Sequence, residues 1–276
     1  YAVVALQTAW LKVYYPVEFM AALMTSVIDN PSKVSEYIMS CRSMGIEILP
    51  PDVNQGQSGF SVTGGKVRYA LTAIKSVGKQ FIEAMVEERK VRGPFTNLKD
   101  FITRMGDKDL NRRTVENFIK AGALDSLGGT RKQFMSVYVQ IMDHIIKDKK
   151  NNLAGQMSLF DIAEESQKEE FDIRMPDVGE YSKEMKLAFE KEVLGIYLSG
   201  HPLEEYQELW RQYANNSTSD FILDEETGEV RVEDQAITVV GGMIADKTVK
   251  YTKKNQVMAF ITLEDLLAAW RSCSFP

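Results

Sequence analysis

Apolar positions in the first part of the chain recur at helical spacing. In PVEFMAALMTSVI, Phe19, Leu23 and Val27 fall four residues apart and Pro16 suits a first turn, which predicts a helix over residues 16–28. A second helix is expected from about Ser32, with Val34, Ile38 and Cys41 on one face and Gly45 at its end. Paired Pro50-Pro51 and the DVN that follows exclude helix next. GFSVTGGKVRYAL predicts a hairpin turning at Gly64-Gly65. Residues 71–138 return to helical spacing, punctuated by glycine. Residues 151–181 have weak periodicity and much acid, the pattern of a linker. SKEMKLAFEKEVLGIYL is helical again. From Gln235 the period becomes two: Ile237 and Val239, then Met258, Phe260 and Ile261, predict short strands such as open a small β-barrel. The expected fold class is mainly α with a small β part.

The chain is 44% apolar and 26% charged, enough for a buried core. Its 276 residues predict one or two domains, or three small ones. No apolar run approaches the roughly 20 residues that span a bilayer, so no membrane partner is expected. The opening YAVVALQTAW has neither a basic stretch nor an initiator Met, which excludes a signal peptide and suggests a chain cut at its start. Cys41 and Cys273 lie far apart, and His144 and His201 have no HExxH spacing. That pattern fits a reducing cytoplasm and offers no structural metal site. The net charge of −6 hides a split: residues 70–132 hold 13 Lys+Arg against 8 Asp+Glu, and residues 151–234 hold 7 against 21. One segment can face phosphates and its neighbour cannot.

LTAIKSVGKQFIEAMVEER runs an apolar helix end into Lys75-Ser76-Val77-Gly78-Lys79 and then another helix. A glycine in a tight hairpin lets the backbone approach a ligand closely. The following helix offers unpaired N–H groups and a positive dipole end, flanked here by Lys75 and Lys79. Such a helix-hairpin-helix grips a DNA backbone without reading sequence. A related unit, LNRRTVENFIKAGALDSLG, follows about 45 residues on. Val115, Phe118 and Ile119 form its apolar face and Ala121-Gly122-Ala123 its hairpin. Arg112 and Arg113 precede it and Lys120 adjoins it. Between the units, Pro94 and Phe95 lead into a helix capped near Thr96 or Asn97. The plain alternative for each hairpin is a glycine C-cap with no ligand. Two units in one basic segment favour DNA.

Several blocks now carry a resemblance. YPVEFMAALMTS, GIEILPPDVN, GPFTNLKDFITRM, KAGALDSLG, EKEVLGIYLSGHPL and MAFITLEDL resemble consecutive blocks of the catalytic alpha subunit of bacterial DNA polymerase III, the replicative type. The resemblance implies that residues 1–69 are the last part of a fingers domain. It makes residues 70–129 a tandem helix-hairpin-helix module that holds duplex DNA behind the active site. Residues 130–217 become a clamp-binding region with an acidic linker, and residues 218–276 the beginning of an OB-fold near single-stranded template. Gln156-Met157-Ser158-Leu159-Phe160 is similar to the family's clamp-binding peptide. Gln156 would bond at the rim of the sliding clamp's pocket, Leu159 and Phe160 would fill it, and Met157 would pack beside them. Taken alone, this stretch reads better as a short segment docked on its own domain; its acidic, non-periodic surroundings and the resemblance favour the clamp. EKEVLGIYLSGHPL is expected to pack a helix and loop against the clamp-binding region, with His201 as a turn residue. KTVKYTKKNQ is either a basic single-strand contact with Tyr251 for stacking or a solvated β-turn.

The resemblance further implies template-directed DNA synthesis by the parent protein, with magnesium held by palm carboxylates upstream of Tyr1. No catalytic residue and no cofactor are expected within the chain. DNA, the sliding clamp and other replicase subunits are the implied partners. The alternatives are a free-standing helix-hairpin-helix repair adaptor with a clamp peptide, and a protein scaffold whose hairpins are mere caps. The end departs from the family pattern. After ITLEDLL, a strand like Gly-Ser-Val-Glu-Val is implied, and the chain has Ala268-Ala269-Trp270-Arg271-Ser272. A one-base shift in codons for that strand yields these residues, so a frameshift near Leu267 is the expectation, checked by the nucleotide sequence.

Overall fold

A computed structural model describes the backbone of residues 1–153, 174–221, 223, 230–253, 255–265 and 269–274, with side chains except at 148–153 and 269–274. The chain divides into two units, residues 1–199 and 200–276.

In the first unit, α1 (Ala2–Tyr14) buries no residue, and Leu6, Trp10 and Val13 on it are exposed. α2 (Pro16–Ser26) starts at proline, whose fixed φ and missing N–H suit a first turn. Met20, Ala21 and Met24 are its buried stripe, while Phe19, Leu23 and Val27 flank that stripe and pack on the core's edge. α3 (Pro31–Ser43) is capped by Asn30, whose side chain accepts from Lys33 N. It buries Val34, Ile38 and Cys41, the face its spacing predicts. β1 (Ile48–Leu49), β2 (Ser61–Thr63) and β3 (Lys66–Arg68) form a sheet in the order β1-β3-β2. The β2–β3 pair is the expected antiparallel hairpin, with Gly64 and Gly65 at φ +59° and +74°.

α4 (Lys79–Arg92), α5 (Leu98–Met105), α6 (Arg112–Ala121), α7 (Arg131–Leu153) and α8 (Lys183–Leu194) follow. Asn97 resolves the α5 cap: its Oδ1 accepts from Asp100 N at 2.8 Å. α7 runs to Leu153, past the start assigned to the linker at residue 151. Its first turn carries a capping box, with Thr130 N donating to Gln133 Oε1 at 2.9 Å and Gln133 N to Thr130 Oγ1 at 3.2 Å. One core joins residues from Met20 to Ile196, so the segments expected at 1–69 and 70–129 share it with α7 and α8.

The second unit holds α9 (Gln207–Tyr213) and an antiparallel sheet β4-β5-β6 of Met243–Tyr251, Val257–Glu264 and Ala269–Ser274. Strands were expected from Ile237 and Val239. Instead Val240 makes only an isolated bridge to Asn216, and the first strand opens at Met243. Ile237 is exposed, so its alternation with Val239 marks no buried face. β6 pairs with β5 in register from Glu264↔Ala269 to Ala259↔Ser274, so residues 269–274 continue the sheet despite their departure from the family pattern.

Candidate nucleic-acid interface

The first hairpin lies between Ala73 and α4. The helix expected before it is a single 3-10 turn, Leu71–Ala73, because Ile74 is already extended. Ile74 and Val77 are buried and anchor the loop, leaving Lys75, Ser76, Gly78 and Lys79 exposed. The left-handed residue is Ser76, at φ +62°, and not Gly78, which sits at φ −76° with open space where a Cβ would stand. Gly78 opens α4 without a side-chain cap. Among the described residues, none accepts from the N–H groups of Gly78, Lys79 or Gln80. A 14-residue helix therefore presents bare amides and its positive end to solvent.

This loop is held from two sides. Lys75 N donates to Val193 O at 2.9 Å, and Asn117 Nδ2 donates to Lys75 O at 2.6 Å. Asn117 lies buried on α6, between core residues Val115 and Phe118. Its pairing was not legible in the sequence, where it reads as one polar position on an amphipathic helix. The last turn of α8 reaches this hairpin through Val193.

The second helix-hairpin-helix of the sequence contributes cations from α6. Asn111 caps that helix, accepting from Thr114 N at 2.9 Å. Arg112 and Arg113 occupy its first turn, where positive charge opposes the helix dipole, so neither is placed to stabilise the helix. Arg112 pairs with Asp143 at 2.6 Å; Arg113 is exposed. Lys120 is held by Glu116 at 2.9 Å and Glu192 at 2.8 Å, above the Phe189 ring. Burial alone would lower its pKa, and the two carboxylates outweigh that and raise it. Lys75, Arg112, Arg113 and Lys120 line one cleft of about 500 Å³ with Glu116 and Glu192. The cations from both sequence units thus converge.

The second hairpin is unlike the first. Ala121, Gly122 and Ala123 are buried. Gly122 is left-handed at φ +76°; its N–H donates to Ile119 O at 3.1 Å and that of Ala123 to Phe118 O at 2.9 Å. Ala123 O in turn accepts from Val53 N at 2.9 Å. These amides close the helix and face inward. Several arginines of the basic segment are also internal. Arg89 donates to Val53 O and Gly56 O at 2.7 and 2.6 Å, and Arg104 to Glu88 Oε1 and Gly93 O at 3.2 and 2.9 Å. Arg131 binds Asp125, Glu190 and Lys120 O. Lys75, Lys79 and Arg113 are exposed cations at or facing the first hairpin; Lys90, Arg92 and Lys108 are exposed elsewhere in the segment. Lys79 approaches Glu83 only at 3.9 Å, an exposed pair worth little.

Gln156, Met157, Ser158, Leu159 and Phe160 lie outside the described residues. α7 ends at Leu153, and the chain returns at its other end, where Gln133 Nε2 donates to Pro176 O at 3.0 Å and Arg131 N to Glu180 Oε2 at 3.2 Å. In the second unit, Tyr251 is exposed at the end of β4, and Thr252 N closes a turn on Gln256 O at 2.8 Å. His201 is a turn residue, its Nδ1 accepting from Leu203 N at 3.1 Å. Among the described residues, no group of three or more His, Cys, Asp or Glu could hold a metal ion. No described helix is long and apolar enough to cross a membrane.

A helix-hairpin-helix motif family matches residues 45–134, which contain both hairpins. DNA polymerase III subunit alpha of Saccharopolyspora erythraea is 34% identical over 281 residues, covering 100% of this chain and 23% of the relative. That of Mycobacterium tuberculosis is 36% identical, with the same two shares, 100% and 23%. That of Neisseria meningitidis serogroup B is 38% identical over 96% of this chain and 22% of its own length. The chain spans about a quarter of the curated relatives it matches (23% for the first). The resemblance stated from the sequence blocks is thereby shown: over its whole length the chain is similar to one stretch of DNA polymerase III subunit alpha.

Proposed function

We propose that this chain serves as the DNA-holding and clamp-tethering stretch of a replicative DNA polymerase III alpha subunit. The parent protein would carry out template-directed DNA synthesis in the bacterial cytoplasm, at the nucleoid, with magnesium bound elsewhere and with other replicase subunits as partners. Similarity to alpha subunits along the whole chain favours this over a free-standing repair adaptor.

One observation carries the DNA reading. The bare amides that open α4, Lys75, Lys79 and Arg113 are exposed residues of one helix-hairpin-helix region, and Asn117 ties the first hairpin to the helix bearing Arg113. Helix N-termini and flanking cations grip phosphate and carry no sequence information. Ser76, Val77 and Gly78 shape the contact; Arg112, Lys120 and the buried Ala121-Gly122-Ala123 support it from behind. Duplex DNA would therefore bind weakly and without sequence preference.

Gln156 to Phe160 would engage the sliding clamp. Support comes from their likeness to the clamp peptide and from the described residues on either side: Leu153 ends α7, a helix about 35 Å long, and Glu180 bonds at its start. The lone peptide would bind in the micromolar range, and the DNA contacts would raise its effective concentration. The second unit would begin an OB-fold beside single-stranded template. Lys75→Glu with Lys79→Glu tests the DNA reading. The slope of log affinity against log salt should shallow by about two, one for each lysine. An unchanged affinity and slope would reduce the hairpin to a cap.

A further inference from the structure

Ser76 stands in a left-handed conformation, φ +62°, that residues other than glycine avoid. Something must hold it there. The peptide on its N-terminal side is fixed at both polar ends, Lys75 N on Val193 O at 2.9 Å and Lys75 O under Asn117 Nδ2 at 2.6 Å. Asn117 is 6% exposed in the middle of α6, among Val115, Phe118 and Ile119. A buried amide in a helix interior costs stability unless bonded, and an apolar side chain would serve the core better. Its recorded bond goes to the hairpin. Arg113 precedes it by one helical turn, so Asn117 fixes the first hairpin relative to the cation that would meet a neighbouring phosphate.

We propose that Asn117 is the positioning residue of this interface: it holds the Lys75 peptide so that Ser76 turns left-handed and the Gly78–Gln80 amides face the DNA backbone. The role rests on the DNA reading above. It touches no phosphate itself. Loss of its donor releases the loop, and the amides no longer converge with Lys75 and Arg113.

The test uses the whole 276-residue chain. Asn117→Asp keeps the shape and removes the donor; Asn117→Ala removes the donor without a buried charge but leaves a small cavity. Each should weaken duplex binding about tenfold, the scale of one lost bond with its carbonyl left bare, and speed exchange of the Lys75 amide by a similar factor. Ser76→Gly takes the left-handed turn unaided. It should restore most of the affinity in either Asn117 background. A merely structural Asn117 would lower the melting temperature without rescue by Ser76→Gly. Lack of rescue, or unchanged affinity and exchange in both variants, overturns the proposal. Absence of salt-dependent duplex binding by the parent chain refutes the DNA reading instead, and Lys75 exchange then decides the Asn117 role alone.

Discussion

Gly122→Ala should be severely destabilising, and the structure sets the scale. Gly122 is left-handed at φ +76°, which costs alanine about 1–2 kcal/mol. A Cβ there would also lie 2.7 Å from Arg131 Cζ and 2.9 Å from Asp125 Oδ2, and nearer still to Arg131 Nη2. Arg131 cannot simply step aside. Its side chain is 6% exposed and is bonded to Asp125 at 3.0 Å, Glu190 at 3.4 Å and Lys120 O at 3.3 Å. Glu190 is itself buried, with its second oxygen taking Leu198 N and Ser199 N, both at 2.9 Å. Displacing the guanidinium strands that carboxylate, and breaking a buried pair costs about 3–5 kcal/mol. The total, about 4–7 kcal/mol, approaches the whole stability of a typical domain. Urea unfolding followed by far-ultraviolet circular dichroism measures it, since the helices lie chiefly in the first unit. Arg131→Ala removes the obstacle, so the double variant should cost clearly less than the two single changes added together. A cost for Gly122→Ala below about 1 kcal/mol, or strict additivity with Arg131→Ala, would refute the reasoning.

Leu159→Ala with Phe160→Ala should abolish binding to the sliding clamp, a loss of at least about 3 kcal/mol or a hundredfold, and leave melting within a few degrees of the parent; unfolding of the variant would show these are core residues. Glu192→Gln removes a negative charge from the cleft that Lys75, Arg112 and Arg113 line and should strengthen duplex binding several-fold in a filter or anisotropy assay; a weaker complex would contradict the view that this carboxylate repels phosphate. Glu180 supplies a pH dependence. Burial would raise its pKa, but the N–H groups of Tyr181, Arg131 and Lys132 hold it below the ordinary 4.5. A lowered folded pKa gives stability that is present above the unfolded value and lost as pH falls through the folded one. Parent and Glu180→Gln should therefore differ in urea midpoint near neutrality, and the difference should shrink as pH falls below the ordinary 4.5 and through the lowered folded value; a constant difference would exclude the charge as the cause.

Local signals carried much of this fold. Pro16, Asn97, the Gly64-Gly65 turn and the spacing of Val34, Ile38 and Cys41 act within a few residues, and each element stands where they place it. The failures involve partners distant in sequence. Arg89, Arg104 and Arg131 count as basic surface in a composition, yet each is spent on carbonyls or carboxylates of other segments. Ser76 takes the turn that Gly78 seemed suited to, because Asn117 and Val193, 42 residues away in the first case, fix the preceding peptide. Ile237 and Val239 alternate without a strand beside them, since alternation needs a pairing partner and a buried face to become a sheet. The candidate site was legible as a set of cations and a hairpin. Which hairpin exposes its amides was not, because Gly122 and Ala123 close their own helix only in three dimensions.

The central claim is that the first hairpin, and not the second, meets the DNA backbone. Titrating the isotope-labelled chain with a short duplex of arbitrary sequence, and following amide resonances, tests it directly. The Ser76, Gly78, Lys79 and Gln80 amides should shift in proportion to bound DNA and return as salt rises, while those of Ala121, Gly122 and Ala123 stay in place. Shifts confined to residues 121–123, or none in either hairpin at saturating DNA, would contradict the account.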